Sequence, residues 1–548
     1  MAKKRKGKKP AAAARPVATA APTAAAEAMP AAKRAAATGS PALKRARRRP
    51  DNAPVLVPLP APEPTFWFGF DVAWVKLVVV RVVLFGLLAI DAILQIRHAP
   101  RYGAGGFNVA QIPGLDALGP SRATYEIAQL VSAYLFVLAA LGVATRWVLP
   151  VATSLYAWMY FTSQLDGYQH HYLVVLILGI SCFVPWQRRA VSDPAAPVRT
   201  WAVRLILVQL AILYLWAAIS KMDPLWIDGR TLANQITGPL RELVDSSVGI
   251  KAAAKFAIFA ELTLALTVWV RPAWFIALPL GLVFHTGILL SGLEIGLFAW
   301  LMLAMYLFVV PDRAFVWVAE QVAFVAPRSA LSRIRLEGNL ATGIATVVCV
   351  AAALGAALLC RLDHALILAI ALSIVPLVTV AARRLRGRTT GGSVAVAHLA
   401  AILVWLAVDR FSTVAVDYYR FWGGSSRRLG DLESSERAYR RLAEIQPDEG
   451  QGHFQLGRLL LKRGEEAEGL AELRRAQAEE PARARAFLAE AEYLASKGRT
   501  AEALEKAREA TYAEPDSQPA QTLLDSMTKP NQPNQLKRPD APPDDDHE

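Results

Sequence analysis

The apolar residues of this chain fall into long unbroken runs rather than into strand-like alternation or the one-sided stripe of a surface helix. Eleven such runs lie between Phe70 and Val408: Phe70–Ile96, Ile127–Val148, Leu149–Phe161, Tyr172–Trp186, Trp201–Ile219, Ala252–Val270, Trp274–Leu290, Ile295–Val310, Ala341–Leu359, Ala365–Ala382 and Val394–Val408. A helix rising 1.5 Å per residue needs about 20 apolar residues to cross the hydrocarbon core of a bilayer. The pattern therefore predicts an all-α fold, a polytopic transmembrane helical bundle of about 11 spans. Several runs are shorter than a full span and the second and third nearly abut, so boundaries are expected to move. Beyond Asp409 the pattern changes to polar, amphipathic helices.

Composition sharpens this. Of 548 residues, 54% are apolar and 19% charged. Soluble domains run near 45–50% and about 25%. A soluble globular enzyme is excluded, as is a disulfide-stapled secreted domain. The net charge of +14 is almost all in one place, because residues 1–50 carry 14 Lys/Arg and the single acid Glu27. Residues 1–62, rich in Ala, Pro and basic side chains, read as a disordered basic tail. Next to a multispan protein such a tail fits a solvated face near anionic lipid, and no nucleic-acid partner is expected. Cys182, Cys349 and Cys360 lie in apolar runs without metal-ligand spacing, so no metal site is predicted.

Loop charges set an orientation. With the N-terminus cytoplasmic, the inner loops carry Arg146; Arg188, Arg189 and Arg199; Arg271; Arg313, Arg328, Arg333 and Arg335; and Arg383, Arg384, Arg386 and Arg388. The outer loops near Asp166, Ser291 and Asp363 are almost free of Lys/Arg. Positive charge resists translocation, so this alternation favours eleven spans in an integral membrane protein of the bacterial inner membrane type, with its C-terminal part on the outer, periplasmic side.

That C-terminal part repeats. Gly430, Gly464 and Gly498 are 34 apart, as are Pro447, Pro481 and Pro515. Small or apolar residues recur in register: Ser435, Gly469 and Ala503; Leu442, Ala476 and Ala510; Gly457 and Ala491. The pattern resembles the tetratricopeptide repeat, in which small residues let two antiparallel helices pack closely. The resemblance implies a groove for a protein or peptide partner over residues 425–528. Residues 529–548 read as a disordered, partly acidic tail.

Ionisable residues at membrane depth are costly, and they either pair inside the bundle or line a wet cavity. Here they are Lys76, Arg81, Asp91, Arg204, Glu261, His285 and Glu294. Three segments meet at the outer edge by topology: Gln164 to Tyr172 with His170 and His171, Ser220 to Gly229 with Lys221, and Phe284-His285 followed by Glu294 to Trp300. An edge lysine can be a snorkelling anchor. Desolvated, with an apolar surround and no close carboxylate, it can instead act as a base.

From Arg81 to about Pro311 the order of these segments resembles the HTTM family, whose best-known member is the vitamin K-dependent gamma-carboxylase. The stretch Gln209 to Gly229, with Ser220-Lys221-Met-Asp223-Pro-Leu-Trp226-Ile-Asp-Gly229, is similar to the carboxylase segment ending in its active lysine. Gln169-His170-His171-Tyr172-Leu173 is similar to the segment carrying its active histidine. The resemblance implies an HTTM/carboxylase-like transmembrane domain over residues 63–320, followed by additional transmembrane helices over 321–424. It implies Lys221 and His170 as catalytic residues, supported at a quinone site by His285, Trp226, Tyr214 and Tyr172. It implies a reduced vitamin K or menaquinone-type quinone as cofactor. The lysine, as free amine, would deprotonate the hydroquinone; with oxygen this yields a strong base that removes the gamma proton of a peptide glutamate. Carbon dioxide then traps the carbanion, and the quinone leaves as epoxide. Two functions compete: such a quinone-linked enzyme, and a non-catalytic scaffold in which membrane lipid anchors the repeats.

Overall fold

A computed structural model describes residues 70–103, 109–165, 169–186, 193–292, 296–325, 339–362 and 392–528. The two expected tails, the run Ala365–Ala382, Glu294, and the loops around Asp166, Arg188, Arg328 and Arg383 lie outside the described residues. The described chain is helical apart from one small ribbon. Strand β1 (Asp71–Ala73) pairs antiparallel with β2 (Pro197–Arg199), Val72 facing Val198. The bundle helices are α1 (Trp74–Leu94), α2 (Arg122–Ala140), α3 (Thr145–Phe161), α4 (Gln169–Ser181), α5 (Trp201–Ser220), α6 (Pro224–Ile227), α7 (Arg230–Gln235), α8 (Gly238–Ser247), α9 (Ile250–Thr267), α10 (Trp274–Leu290), α11 (Phe298–Tyr306), α12 (Asp312–Val325) and α13 (Asn339–Leu359), followed by Gly392–Phe411.

Among the described residues, four helical stretches are long and apolar enough to cross a membrane: Trp74–Tyr102, Arg122–Ala140, Trp201–Ser220 and Arg271–Leu290. The pair His398–Phe411 and Val414–Arg428, bent by 67°, makes a fifth if it counts as one span, and His170–Ser181 and Val347–Leu359 are shorter apolar helices. Large apolar side chains such as Trp147, Phe183, Leu266 and Phe275 point outward. Such a surface is stable against hydrocarbon and not against water, and the chain is an integral membrane protein.

The helix ends alternate between two ends of the bundle. At the ribbon end, the Arg271 guanidinium donates to the Asp71 carbonyl. Lys76 donates to the carbonyls of Phe308 and Val310, both at 2.7 Å, and to Asp312 at 3.0 Å. Arg81 donates to the carbonyls of Ala140 at 3.1 Å and Trp186 at 2.9 Å. These two cations therefore satisfy orphan carbonyls at helix ends, where an unpaired polar group in a low-dielectric medium would be costly. The opposite, distal end gathers the end of α1, the starts of α2, α4, α9 and α11, and the ends of α3, α5 and α10.

The 34-residue period becomes three helical hairpins: Val414–Arg428 with Leu432–Ile445, Gln451–Arg463 with Glu466–Glu479, and Ala484–Ser496 with Thr500–Ala513, closed by Gln518–Thr528. Gly430, Gly464 and Gly498 sit at the bends with φ of +79°, +87° and +75°, the left-handed region that only glycine enters without strain. Ser435, Ala503, Leu442, Ala476 and Ala510 are buried at the helix contacts.

The helix Val414–Arg428 spans residue 425, where the repeats were expected to begin. Gly423 precedes Gly457 by one period and fills the same place, with Ser435 Oγ donating to its carbonyl at 2.9 Å. This helix also binds the bundle. Asp417 pairs with Arg97 at 3.5 Å, and the guanidiniums of Arg101 and Arg122 lie over the rings of Phe421 and Trp422 at 3.9 and 4.2 Å. Tyr418 donates to Glu126.

Asp431 caps the next helix, accepting from the Ser434 backbone N–H at 3.0 Å. The hydrogen bonds from Ser434 hold its carboxyl below the ordinary value. The cap therefore stabilises above the unfolded carboxylate range, and this contribution is lost as the pH falls through the lowered value. We expect Asp431→Ala to cost about 1 kcal/mol, read as faster hydrogen exchange over residues 432–445 only.

Candidate functional site

Each residue of the Lys221–Gly229 segment has a local task. Helix α5 ends at Lys221, whose φ of −92° and ψ of 0° leave the helix. Asp223 restarts it as the N-cap of α6, accepting from the N–H groups of Leu225 at 2.8 Å and Trp226 at 3.1 Å, with Pro224 in the first turn. Asp223 is thus engaged by the backbone of α6. Trp226 is buried, and its indole N–H donates to the Ala254 carbonyl on α9 at 3.1 Å. Gly229, at φ +80°, passes the backbone of Lys251, and a Cβ there would sit 3.1 Å from it. The segment therefore folds back onto α9.

That approach delivers the partner of Lys221. Its Nζ donates to Glu261 Oε1 of α9 at 2.8 Å and to the Ala217 carbonyl at 3.3 Å, and lies 5.3 Å from the centroid of the Trp226 ring. The Lys221 side chain is 22% exposed and that of Glu261 5%. A lysine base was expected to have no close carboxylate; Glu261 provides one. A single carboxylate in an apolar run needs a cation, and the fold-back at Gly229 brings α9 against α5. Among the described residues Glu261 Oε2 has no hydrogen-bond partner.

Two turns before Lys221 on α5, Tyr214 enters the core. Its hydroxyl meets His285 Nε2 of α10 at 2.6 Å and the Tyr306 hydroxyl of α11 at 2.8 Å. All three side chains are buried, and His285 Nδ1 has no hydrogen-bond partner among the described residues. Tyr306 fits because Gly281 on α10 has no side chain; any Cβ there would overlap its ring. Gly281→Ala is expected to displace Tyr306 and cost about 1–3 kcal/mol. An unchanged thermal midpoint of the purified protein would contradict this packing.

The expected residues on α4 stand apart from this pair of clusters. The His170 ring lies against His171 at 4.3 Å and Phe298 at 5.5 Å. Phe298 opens α11, the helix that ends in Tyr306, so α11 links both sets. His171 Nδ1 and the Tyr156 hydroxyl are 2.6 Å apart. Tyr172 faces outward, 46% exposed, with its ring against Tyr160 at 6.0 Å. The structure thus joins Lys221 with Trp226, and Tyr214 with His285, and leaves Tyr172 on the outer surface.

Residues 71–313 match the HTTM domain. The HTTM domain opens at β1, closes at the start of α12, and contains Lys221, His170, His285, Trp226, Tyr214 and Tyr172. The hairpins and the helices after 313 lie beyond the HTTM domain. No curated protein matches the chain. Reading the sequence did not find Tyr306 or the role of Glu261. Glu261 was visible as an isolated acid, but its partner lies 40 residues away.

Proposed function

We propose that this chain is a quinone-linked membrane enzyme of the carboxylase or epoxidase type, with Lys221 as the base. The observation that carries the reading is Lys221 at the distal end of α5, next to an aromatic ring and above a buried hydroxyl–imidazole cluster, within a lipid-facing domain. The surroundings fit a lipid-soluble cofactor: Trp216, Ile219, Met222 and Leu225 around Lys221 are exposed and apolar. Among the described residues, His285 Nδ1 and Glu261 Oε2 have no hydrogen-bond partner and are polar atoms a ligand could engage. Lys221 and Trp226 would hold a reduced quinone, with Tyr214 and His285 one step further along α5 and α10, while His170 stands on α4 against Phe298 of α11. Bound there, a reduced quinone supplies an acidic hydroxyl and the reducing equivalents for oxygen-dependent epoxidation. Lys221 would accept the hydroxyl proton at Nζ, with the Glu261 carboxylate of α9 holding the side chain in place.

The hairpins read as tetratricopeptide repeats whose concave face binds a protein or peptide, either the substrate or an assembly partner. Their seating on the distal end also favours a second reading, in which the bundle only anchors this scaffold. The loop charges support eleven spans with a cytoplasmic N-terminus and the repeats outside. A reporter fused after Thr528 should behave as exported and one fused after Gly387 as cytoplasmic. A cytoplasmic signal after Thr528 would mean an even number of spans. The function itself is tested by comparing His170→Ala with wild type for quinone epoxide yield under oxygen. A loss of about 10²-fold or more is expected from removing a catalytic group, and an equal yield removes His170 from the site.

A further inference from the structure

The connection from α5 to α9 carries more positive charge than its place in the bundle explains. On the orientation proposed above it lies at the outer side, where positive charge resists translocation, and the neighbouring loops near Asp166 and Ser291 hold almost no Lys/Arg. Yet Arg230, Lys251 and Lys255 stand together there, all three exposed. Gly229 passes so close to the Lys251 backbone that a Cβ would sit 3.1 Å from it, and this sets Arg230 beside the first turn of α9. The Trp226 indole N–H, bonded to the Ala254 carbonyl at 3.1 Å, fixes the same approach. Lys255 follows Lys251 by four residues on α9 and so lies on the same face. All three cations act on one carboxylate, Asp228, which pairs with Lys251 at 2.7 Å. Among the described residues Arg230 and Lys255 form no ion pair of their own. Two other acids of the connection are taken: Asp223 caps α6, and Asp245 pairs with Arg241 at 2.6 Å.

Below these cations the same surface turns apolar. Phe256 and Phe259 on α9 are exposed, as are Leu225 and Ile227 on α6, and the outward stripe of α9 continues to Leu266. Phe259 lies about 6 Å further along the helix, into the membrane, than Lys255. A lone edge lysine snorkels over such a surface. Three cations brought from two segments, above rings that face hydrocarbon, instead repeat the order of a phospholipid, with phosphate at the interface and acyl chains beneath. The apolar stripe decides against a free phosphate or an acidic peptide, which would gain nothing from it. We propose that Arg230, Lys251 and Lys255 bind the phosphate of an anionic phospholipid whose acyl chains run down Phe256 and Phe259. The phosphate competes with Asp228 for Lys251. Such a site does not depend on the chemistry assigned to Lys221.

The test titrates the full chain, purified in a mild detergent, with phosphatidylglycerol or phosphatidylcholine and counts bound lipids by native mass spectrometry. Wild type should retain phosphatidylglycerol about tenfold or more in preference to phosphatidylcholine. Arg230→Gln with Lys255→Gln should remove that preference, because each cation at an anionic headgroup is worth about a factor of five. Phosphatidylcholine binding should stay as it was. Asp228→Asn should tighten phosphatidylglycerol severalfold, since the competing carboxylate is gone, whereas a folding defect would weaken it. Lys462→Gln with Arg508→Gln removes the same charge from the exposed surface of the repeats and should change nothing. Equal retention of the two lipids by wild type, or an unchanged preference after Arg230→Gln with Lys255→Gln, overturns the proposal. Displacement of the lipid by glycerol phosphate or by a short oligoglutamate at equal concentration also overturns it, because the cations would then serve a free phosphate or an acidic peptide and the rings would have no part.

Discussion

Gly457→Leu unfolds the second hairpin. Gly457 lies where Gln451–Arg463 crosses Glu466–Glu479, and even a Cβ there would sit 2.9 Å from the Gly469 carbonyl oxygen and from Leu473 Cγ. The first contact is with backbone, which cannot rotate aside. Forcing a leucine into this crossing costs on the order of 3 kcal/mol or more, a large fraction of what holds a small helical array together. Gly498 behaves differently. No atom lies within 4 Å of a Cβ built there, and only its φ of +75° opposes a side chain. Gly498→Ala should therefore cost only about 1 kcal/mol. Hydrogen exchange of the full chain should show residues 451–479 open in the first variant and near wild type in the second. Equal protection in both would mean that the two helices do not cross at Gly457.

Lys221→Arg abolishes turnover without unfolding the protein. Arginine keeps the positive charge and can still meet Glu261, so the α5–α9 contact survives. Its guanidinium does not deprotonate in proteins, so the base is gone. The expected loss is about 10²–10⁴-fold, the usual worth of a positioned base. Lys221→Ala leaves the Glu261 carboxylate without a counter-charge, and a small exogenous amine should restore part of the rate by occupying that place. Initial rates at matched protein level, with the thermal midpoint as a fold control, check both outcomes. Wild-type rates from the arginine variant would assign Lys221 to anchoring.

Much of this was legible in the sequence, and the physics explains which parts. Membrane helices leave long apolar runs, because backbone groups must be satisfied within the segment and side chains must match hydrocarbon. The hairpins leave a period, because glycine at a left-handed bend is hard to replace. Lys221, Asp223, Trp226 and Gly229 stood out through the family resemblance, and the structure adds that they form a turn that caps α6, anchors on α9 and folds back. Contacts across helices left no such trace. Glu261 reaches Lys221 across 40 residues, and Tyr306 reaches Tyr214 across 92. Gly281 is legible only once Tyr306 is seen against it. The helix Val414–Arg428 gave no local sign of where it docks, because Asp417, Tyr418 and Phe421 meet Arg97, Glu126 and Arg101, residues far away in the sequence.

The most direct test of the account is oxygen-dependent conversion of a reduced quinone by the purified wild-type chain in lipid nanodiscs, followed by mass spectrometry of the quinone. The account predicts quinone epoxide from a reduced vitamin K or menaquinone, formed only with oxygen and absent in Lys221→Arg. No epoxide from wild type with any common quinone would contradict it and leave the membrane-anchored repeat scaffold as the function.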